Sequence, residues 1–399
     1  MLHYKYLIIG GGMAADAAVR GIRELDSNGS IALISMEPDL PYNRPPLSKG
    51  LWKGKPFESI WRKTDSRGGE LFQGHTARAL DPHNKRITDE QGTTYTFDKL
   101  LLATGSTVRR LPFGEDHIIH FRTAEDYRRL RILAEQGQRF AVIGGGFIGS
   151  EIAAALAMNG KQVMMVFPDE TIGARVYPRD LGLFLNDFYR QKGIQVMAEQ
   201  AVTGLDQHGK QFAVRVRGMK QPDERQVLVD GVVAGIGVQP NVELAQTAGL
   251  QVENGIVVDE FLRTRHPDIH GAGDVAAFYN PALGKRIRVE HEDNANAMGR
   301  QAGRVMAGAL EPYHHLPFFY SDLFDLGYEA VGELDSRHEI VADWQEPNKK
   351  GVIYYMQSGR VRGVLLWNVW KQVDAARKLI AEPGPFRAED LKGRLPDTH

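Results

Sequence analysis

Tyr6-Leu-Ile-Ile-Gly10-Gly-Gly12-Met-Ala-Ala15 decides the fold, and the chain writes it twice. The echo is Phe140-Ala-Val-Ile-Gly144-Gly-Gly146-Phe-Ile-Gly149, and Gly10 and Gly144 stand 134 positions apart. Each copy is a short apolar run, then glycines, then an alanine-rich stretch. The run suits a parallel strand buried on both faces, the glycines a tight turn, the alanines a helix packed on the sheet. In Gly10-x-Gly12-x-x-Ala15 and Gly144-x-Gly146-x-x-Gly149 the first glycine permits the sharp turn. The second lets backbone approach a pyrophosphate, and the third small residue lets helix and strand pack closely. The helix start then offers unpaired N–H groups and a partial positive charge to phosphates. Two such units a domain's length apart predict an α/β chain with two Rossmann-like, three-layer dinucleotide-binding domains.

Each fingerprint has its acid. Glu37 lies 22 residues past Ala15, after an expected strand Ile31–Ser35, and would accept hydrogen bonds from ribose hydroxyls. Asp169 lies 20 residues past Gly149. A carboxylate there repels a 2′-phosphate and favours NADH over NADPH. Arg175 could meet such a phosphate, so the strictness of that preference stays open.

Composition removes other classes. The 399 residues are 42% hydrophobic and 25% charged, with a formal net charge of −1, so neither disorder nor a general attraction to nucleic acid or anionic lipid follows. There is no cysteine, which excludes disulfides, thiolate metal sites, cysteine-ligated iron–sulfur clusters and thiol nucleophiles. No metal set is expected, because no nearby carboxylate completes His314-His315. The apolar window 140–160 holds five glycines and Glu151, which reads as strand, turn and helix rather than a membrane span. The N-terminus lacks a signal-peptide layout, and a cytoplasmic location is expected. Two dinucleotide sites without thiol or cluster call for a redox bridge: one nucleotide a flavin, the other the nicotinamide that reduces it.

Between and beyond the repeats, the pattern predicts a hairpin around Gln91-Gly92, a strand Asp98–Ala103, a helix near Asp180–Gly193 and a strand Gly231–Ile236. A helix Asp293–Leu310 follows. Past Pro312 the pattern turns antiparallel, with a hairpin of Gly351–Met356 and Val361–Trp370 and a helix over roughly 372–381. The run Arg128-Arg129-Leu130-Arg131 reads as a solvated helix face. The polar end, 382–399, reads as loosely held.

Pro41-Tyr42-Asn43-Arg44-Pro45-Pro46-Leu47-Ser48-Lys49 resembles the signature of FAD-dependent NADH reductases that serve 2Fe–2S ferredoxins, and of apoptosis-inducing factor. Ala103-Thr104-Gly105 and Gly271-Ala-Gly273-Asp274 resemble that superfamily's later FAD motifs. Val289-Glu290-His291, Ser321-Asp322-Leu323 and Gly327–Gly332 tilt towards apoptosis-inducing factor, whereas Asn294-Ala295 tilts towards the ferredoxin reductases.

The resemblance implies FAD in a split domain, 1–113 and 242–311, NAD in 114–241, and a C-terminal α+β domain, 312–399. On the FAD side it implies Gly10, Gly12, Met13, Ala14, Ala15, Glu37 at the ribose, Arg44 near the pyrophosphate, Ala103, Thr104, Gly105, Gly273 and Asp274. Glu290, His291 and Tyr320 join them, Tyr320 standing where the family often has tryptophan. On the NAD side it implies Gly144, Gly146, Phe147, Ile148, Gly149, Glu151, Asp169, Arg175 and Gly237. Two roles are open to Phe147, nicotinamide gate or core side chain. Lys49, Glu151 and His291 are the catalytic candidates: Lys49 would pair with Glu151 and reach the flavin N5 edge, with Glu151 in the first turn of its helix. His291 would open a helix aimed at the flavin pyrimidine, or serve as a plain capping-region histidine.

The implied activity is hydride transfer from NADH to flavin N5, then electron transfer to a small iron–sulfur protein or a quinone. The rival is a slow NADH-sensing flavoprotein like apoptosis-inducing factor, in which a long-lived reduced flavin–NAD charge-transfer complex controls conformation and partner binding. No nucleic acid or membrane partner is expected, and a homodimer is left open.

Overall fold

The computed structural model describes residues 2–220 and 223–395, which form two compact units. One comprises the chain up to Arg44, Phe57–Thr107 and Gln239–Phe318; the other comprises Pro45–Pro56, Val108–Val238 and the chain from Phe319. The motif Pro41–Lys49 is therefore shared, with Arg44 in the first unit and Lys49 in the second.

The first unit is built on a seven-stranded sheet. Leu2–Ile9 lies centrally, parallel to Ile31–Ser35 on one side and Thr94–Leu102 on the other, with Ile9 opposite Ile34 and Leu102. Successive side chains alternate between faces. Tyr6 and Ile8 pack under the helix Met13–Arg23 and the helix Glu292–Met306, while Leu7 and Ile9 pack under Ala245 and Leu250. That is why the run is apolar without a break. Thr94–Leu102 is one strand where the sequence suggested two: its first part completes the hairpin with Arg86–Asp89, and its last pairs in parallel with Ile269–Gly271.

The second unit carries a five-stranded parallel sheet, ordered Gln195–Met197, Gln162–Val166, Arg139–Ile143, Gly231–Ala234, Ile118–His120. One face is covered by a three-stranded antiparallel sheet through Val214, Val216 and Val229. The chain from Phe318 forms a five-stranded antiparallel sheet with the helix Val373–Ala381 against it. The fold class is thus α/β with two Rossmann-like layers and a C-terminal α+β part. Among the described residues, no helix is long and apolar enough to cross a membrane.

Three expectations are corrected. The last hairpin strand ends at Trp367, not Trp370, because Asn368 takes a left-handed φ of 51° and its side chain caps Gly327 N–H. The tail is held as far as it is described: Leu391 and Leu395 are buried, Phe386 N–H donates to Gly359, and Gly393 N–H donates to Asp343. Residues 396–399 lie outside the described residues. The basic run is not simply solvated, since Leu130 is fully buried and Arg131 lies 4.9 Å over the Trp52 ring.

His270, on the strand Ile269–Gly271, is 2% exposed, and its Nδ1 has no hydrogen-bond partner among the described residues. Burial, aided by the Lys99 charge, pushes its imidazole down to about 4. The unfolded chain protonates this histidine below its ordinary value of about 6.5, and the folded chain does not until about 4. Stability therefore rises with pH between those values, by roughly 3 kcal/mol from this group. Urea unfolding of His270→Leu is expected to show a flatter acid limb over that window. An unchanged limb would mean that His270 is protonated in the folded state.

Candidate functional site

In the first unit the turn after the central strand needs glycine at position 10. Its φ is +134°, and a Cβ there would meet Ala103 O at 2.1 Å. Gly12 opens the helix Met13–Arg23 without a side-chain cap, and a Cβ built on it would meet no atom within 4 Å. The first-turn N–H groups thus border open space, which fits a pyrophosphate at this end. Met13, Ala14 and Ala15 are buried in the helix behind it.

Charged side chains gather in the same unit. Glu37 accepts from the Tyr42 hydroxyl at 2.6 Å and from Arg44, which also reaches the Tyr42 hydroxyl at 3.0 Å. Burial opposes the Arg44 charge, but Tyr42 and the Glu37 and Asp274 carboxylates hold its guanidinium above the ordinary value. Burial pushes His291 down to about 4, against the pull of Asp274 and Asp293, so its imidazole is neutral at neutral pH. His291 is the N-cap residue of the helix Glu292–Met306, again with no side-chain cap. Glu37, Arg44, Asp274 and His291 therefore form one electrostatic group. Glu290 pairs instead with Arg288, 2.7 Å away, which also donates to Asp274 O. Thr104 exchanges hydrogen bonds with Asn241, Gly105 adopts φ +67°, and Gly273 N–H points at the Met298 sulfur.

Asp16 belongs to none of the expected site residues. It is fully buried in the first fingerprint helix and accepts from Arg62 and Thr64 at 2.7 Å, with Arg20 at 2.8 Å and Arg67 at 3.3 Å. An acid inside an alanine-rich stretch, one residue past the fingerprint, was the available signal. His315, discounted as a ligand, lies 2.5 Å from Asp293.

The second unit repeats the cradle. Gly144 has φ +115°, and a Cβ at Gly149 would meet Gly144 O at 2.1 Å. Gly146 starts the helix Phe147–Met158 uncapped and facing open space. Ile148 is exposed, and Phe147 packs on Phe319 at 5.2 Å between ring centroids. Asp169 follows the strand Gln162–Val166, and its backbone carbonyl accepts from Glu199 N–H. Arg175 is exposed and its carbonyl accepts from Ser336 N–H; nearby, Glu170 holds Arg179 with two hydrogen bonds of 2.5 and 2.8 Å. Gly237 takes φ +93°.

Lys49 Nζ lies 2.7 Å from Glu151 Oε1, with side-chain exposures of 12% and 3%. Glu151 is the fifth residue of its helix, not in the first turn, so side chains rather than the helix end hold its charge. Those side chains are Lys49, Ser48 at 2.6 Å and Ser321 at 2.5 Å. Tyr320 presents its ring 5.3 Å from Lys49 Nζ. Trp52 anchors the Lys49 segment: it meets Tyr127 edge-on, and its indole N–H donates to Leu47 O at 2.9 Å.

Residues 4–299 match the family described as pyridine nucleotide-disulphide oxidoreductase. The chain belongs to that family. Residues 302–349 and 341–382 match the C-terminal region of apoptosis-inducing factor, mitochondrion-associated. Along 96% of its length it is 34% identical to the 5,5'-dehydrodivanillate O-demethylase ferredoxin reductase subunit of Sphingobium sp., covering 94% of that protein. It is 32% identical to apoptosis-inducing factor 1, mitochondrial, of Dictyostelium discoideum over 94% of this chain and 78% of that one. Among solved structures it resembles the covalent putidaredoxin reductase–putidaredoxin complex, with 28% identity, a TM-score of 0.89, and 98% and 96% of the two chains covered. As a member of this pyridine nucleotide-disulphide oxidoreductase family the chain is a ferredoxin reductase-like flavoenzyme that uses FAD and NAD(H). Without cysteine, the disulphide chemistry of the family name is closed to it.

Proposed function

We propose that this flavoenzyme accepts hydride from NADH and passes the electrons to a small iron–sulfur protein, a 2Fe–2S ferredoxin before a quinone. The observation that carries this reading is the Lys49–Glu151 pair, a nearly buried ammonium fixed on a buried carboxylate in the unit that holds the second fingerprint. When bound, the flavin supplies the step from two-electron donor to one-electron acceptor. The chain's residues do the rest. Gly10 and Gly12 with the first helix end cradle the FAD phosphates, Glu37 takes the ribose, and Arg44 and Asp274 lie along the phosphate and ribityl oxygens. Gly144, Gly146 and Gly149 cradle NADH, and Asp169 takes its ribose hydroxyls. Lys49 is assigned the donor position at the flavin N5 edge, and His291, neutral, the pyrimidine end.

Several relatives are named as ferredoxin reductases, which supports an iron–sulfur acceptor. The cysteine-free composition suits a reducing cytoplasm. The match of residues 302–382 to the C-terminal region of apoptosis-inducing factor favours the second reading, a slow NADH sensor.

Anaerobic stopped-flow with NADH, followed by a panel of ferredoxins and quinones, separates the two. Fast bleaching and rapid turnover with a ferredoxin support the reductase. A persistent long-wavelength band, poor reoxidation and a shift in oligomeric state overturn it in favour of the sensor.

NADH is assigned as the donor over NADPH, on the charge of Asp169. Asp169→Ala is expected to lower the NADH-to-NADPH ratio of kcat/KM by about tenfold. A wild-type enzyme that already prefers NADPH would refute the assignment.

A further inference from the structure

Glu151 has more donors than a simple ion pair needs. Lys49 Nζ and the Ser321 hydroxyl share Oε1, at 2.7 and 2.5 Å, and the Ser48 hydroxyl takes Oε2 at 2.6 Å. Ser48 and Lys49 come from the segment Pro45–Pro56, whereas Ser321 comes from the strand Phe318–Leu323 of the C-terminal sheet. Ser321 is 2% exposed.

A row of hydroxyls stands behind it. Tyr328, on the adjoining strand Leu326–Gly332 of the same sheet, accepts from the Tyr177 hydroxyl at 2.9 Å, and Ser321 lies within its electrostatic reach. Both phenols are buried, and burial holds both above their ordinary value, so they stay neutral hydroxyls. Their rings are locked in place: Tyr328 stacks on Trp367 at 5.6 Å and 13°, and Tyr177 meets Trp367 edge-on at 5.8 Å. Packing alone would be met by alanine and phenylalanine. A buried hydroxyl is favourable only when it is satisfied, and that of Ser321 is spent on a single carboxylate oxygen.

We propose that Ser321, backed by Tyr328 and Tyr177, is a positioning residue for Lys49. By sharing Oε1 the Ser321 hydroxyl holds the Glu151 carboxylate at one place and orientation, and Glu151 in turn fixes the ammonium. The proposal rests on the reading of Lys49 as the donor at the flavin and extends that centre to the C-terminal sheet.

The test uses FAD-loaded protein and anaerobic stopped-flow with NADH. Ser321→Ala is expected to keep its flavin spectrum and its NADH dissociation constant within about twofold, and to lose about tenfold in the limiting rate of bleaching. Ser321→Thr, which keeps the hydroxyl, recovers most of the rate, and Tyr328→Phe gives a smaller loss of the same kind. In a Lys49→Met background, Ser321→Ala has no further effect, because the group it positions is gone. A wild-type rate in both Ser321→Ala and Tyr328→Phe overturns the proposal. So does a tenfold loss that persists in the Lys49→Met background, or one confined to NADH binding. If NADH fails to bleach the wild-type flavin at all, the functional reading itself has failed, an outcome distinct from these.

Discussion

Replacing Lys49 by methionine is expected to leave FAD bound and to slow bleaching of the flavin by NADH about a hundredfold. The rate loss and the fold can be separated because of how Glu151 is held. Stripping a buried charge of its partner ordinarily costs about 3–5 kcal/mol. Here Ser48 and Ser321 remain on the two carboxylate oxygens, so Glu151 keeps two of its three donors and the fold survives. What is lost is a fixed positive donor, 12% exposed, whose place the Trp52 anchor and Glu151 determine. The double variant Lys49→Met/Glu151→Gln sharpens the test. It removes both charges, so stability returns towards wild type while the rate does not. A Lys49→Met enzyme that bleaches within twofold of wild type would take Lys49 out of the chemistry.

What could be read in the sequence was what local physics specifies. Residues 6–9 and 140–143 are buried on both faces of their sheets, so their apolar runs needed no partner to be recognised. Gly10, Gly144 and Gly149 are demanded by backbone that a Cβ would strike, whereas Gly12 and Gly146 face open space. Glu151 is the opposite case. That it lies on the helix was legible, but not that it falls past the first turn, and two of its three donors, Ser48 and Ser321, lie 103 and 170 positions away, where hydroxyls carry no pattern of their own. Asp16 was hidden likewise: Arg20 lies one turn on in its own helix, but Arg62, Thr64 and Arg67, which complete its shell, come from a distant segment. The tail gives no sequence signal of its packing, because two leucines, Leu391 and Leu395, are too few to give a period, yet both are buried.

The largest stability effect is expected where the helix Met13–Arg23 meets the helix Glu292–Met306. A Cβ at Gly303 would fall 2.1 Å from Ala18 O, one at Gly299 2.2 Å from Ala14 O, and one at Gly21 2.0 Å from Arg300 O. Small residues at four-residue spacing on both helices let the backbones touch, so no side chain stands between them to yield. Two effects compete in Gly303→Ala. Helix propensity favours alanine by about 1 kcal/mol. The new methyl meets backbone on the facing helix, and overpacking a site without a flexible neighbour costs about 3 kcal/mol. The clash wins, and Gly303→Ala is expected to lower the melting temperature by roughly 4–8 °C, Gly303→Leu by more. The two helices carry the first fingerprint at one N-terminus and His291 at the other, so parting them also loosens the FAD cradle. Flavin should therefore be lost from Gly303→Leu on gel filtration while Lys49→Met retains it. A Gly303→Ala protein that melts higher than wild type would show that propensity prevails and that the helices are not in backbone contact.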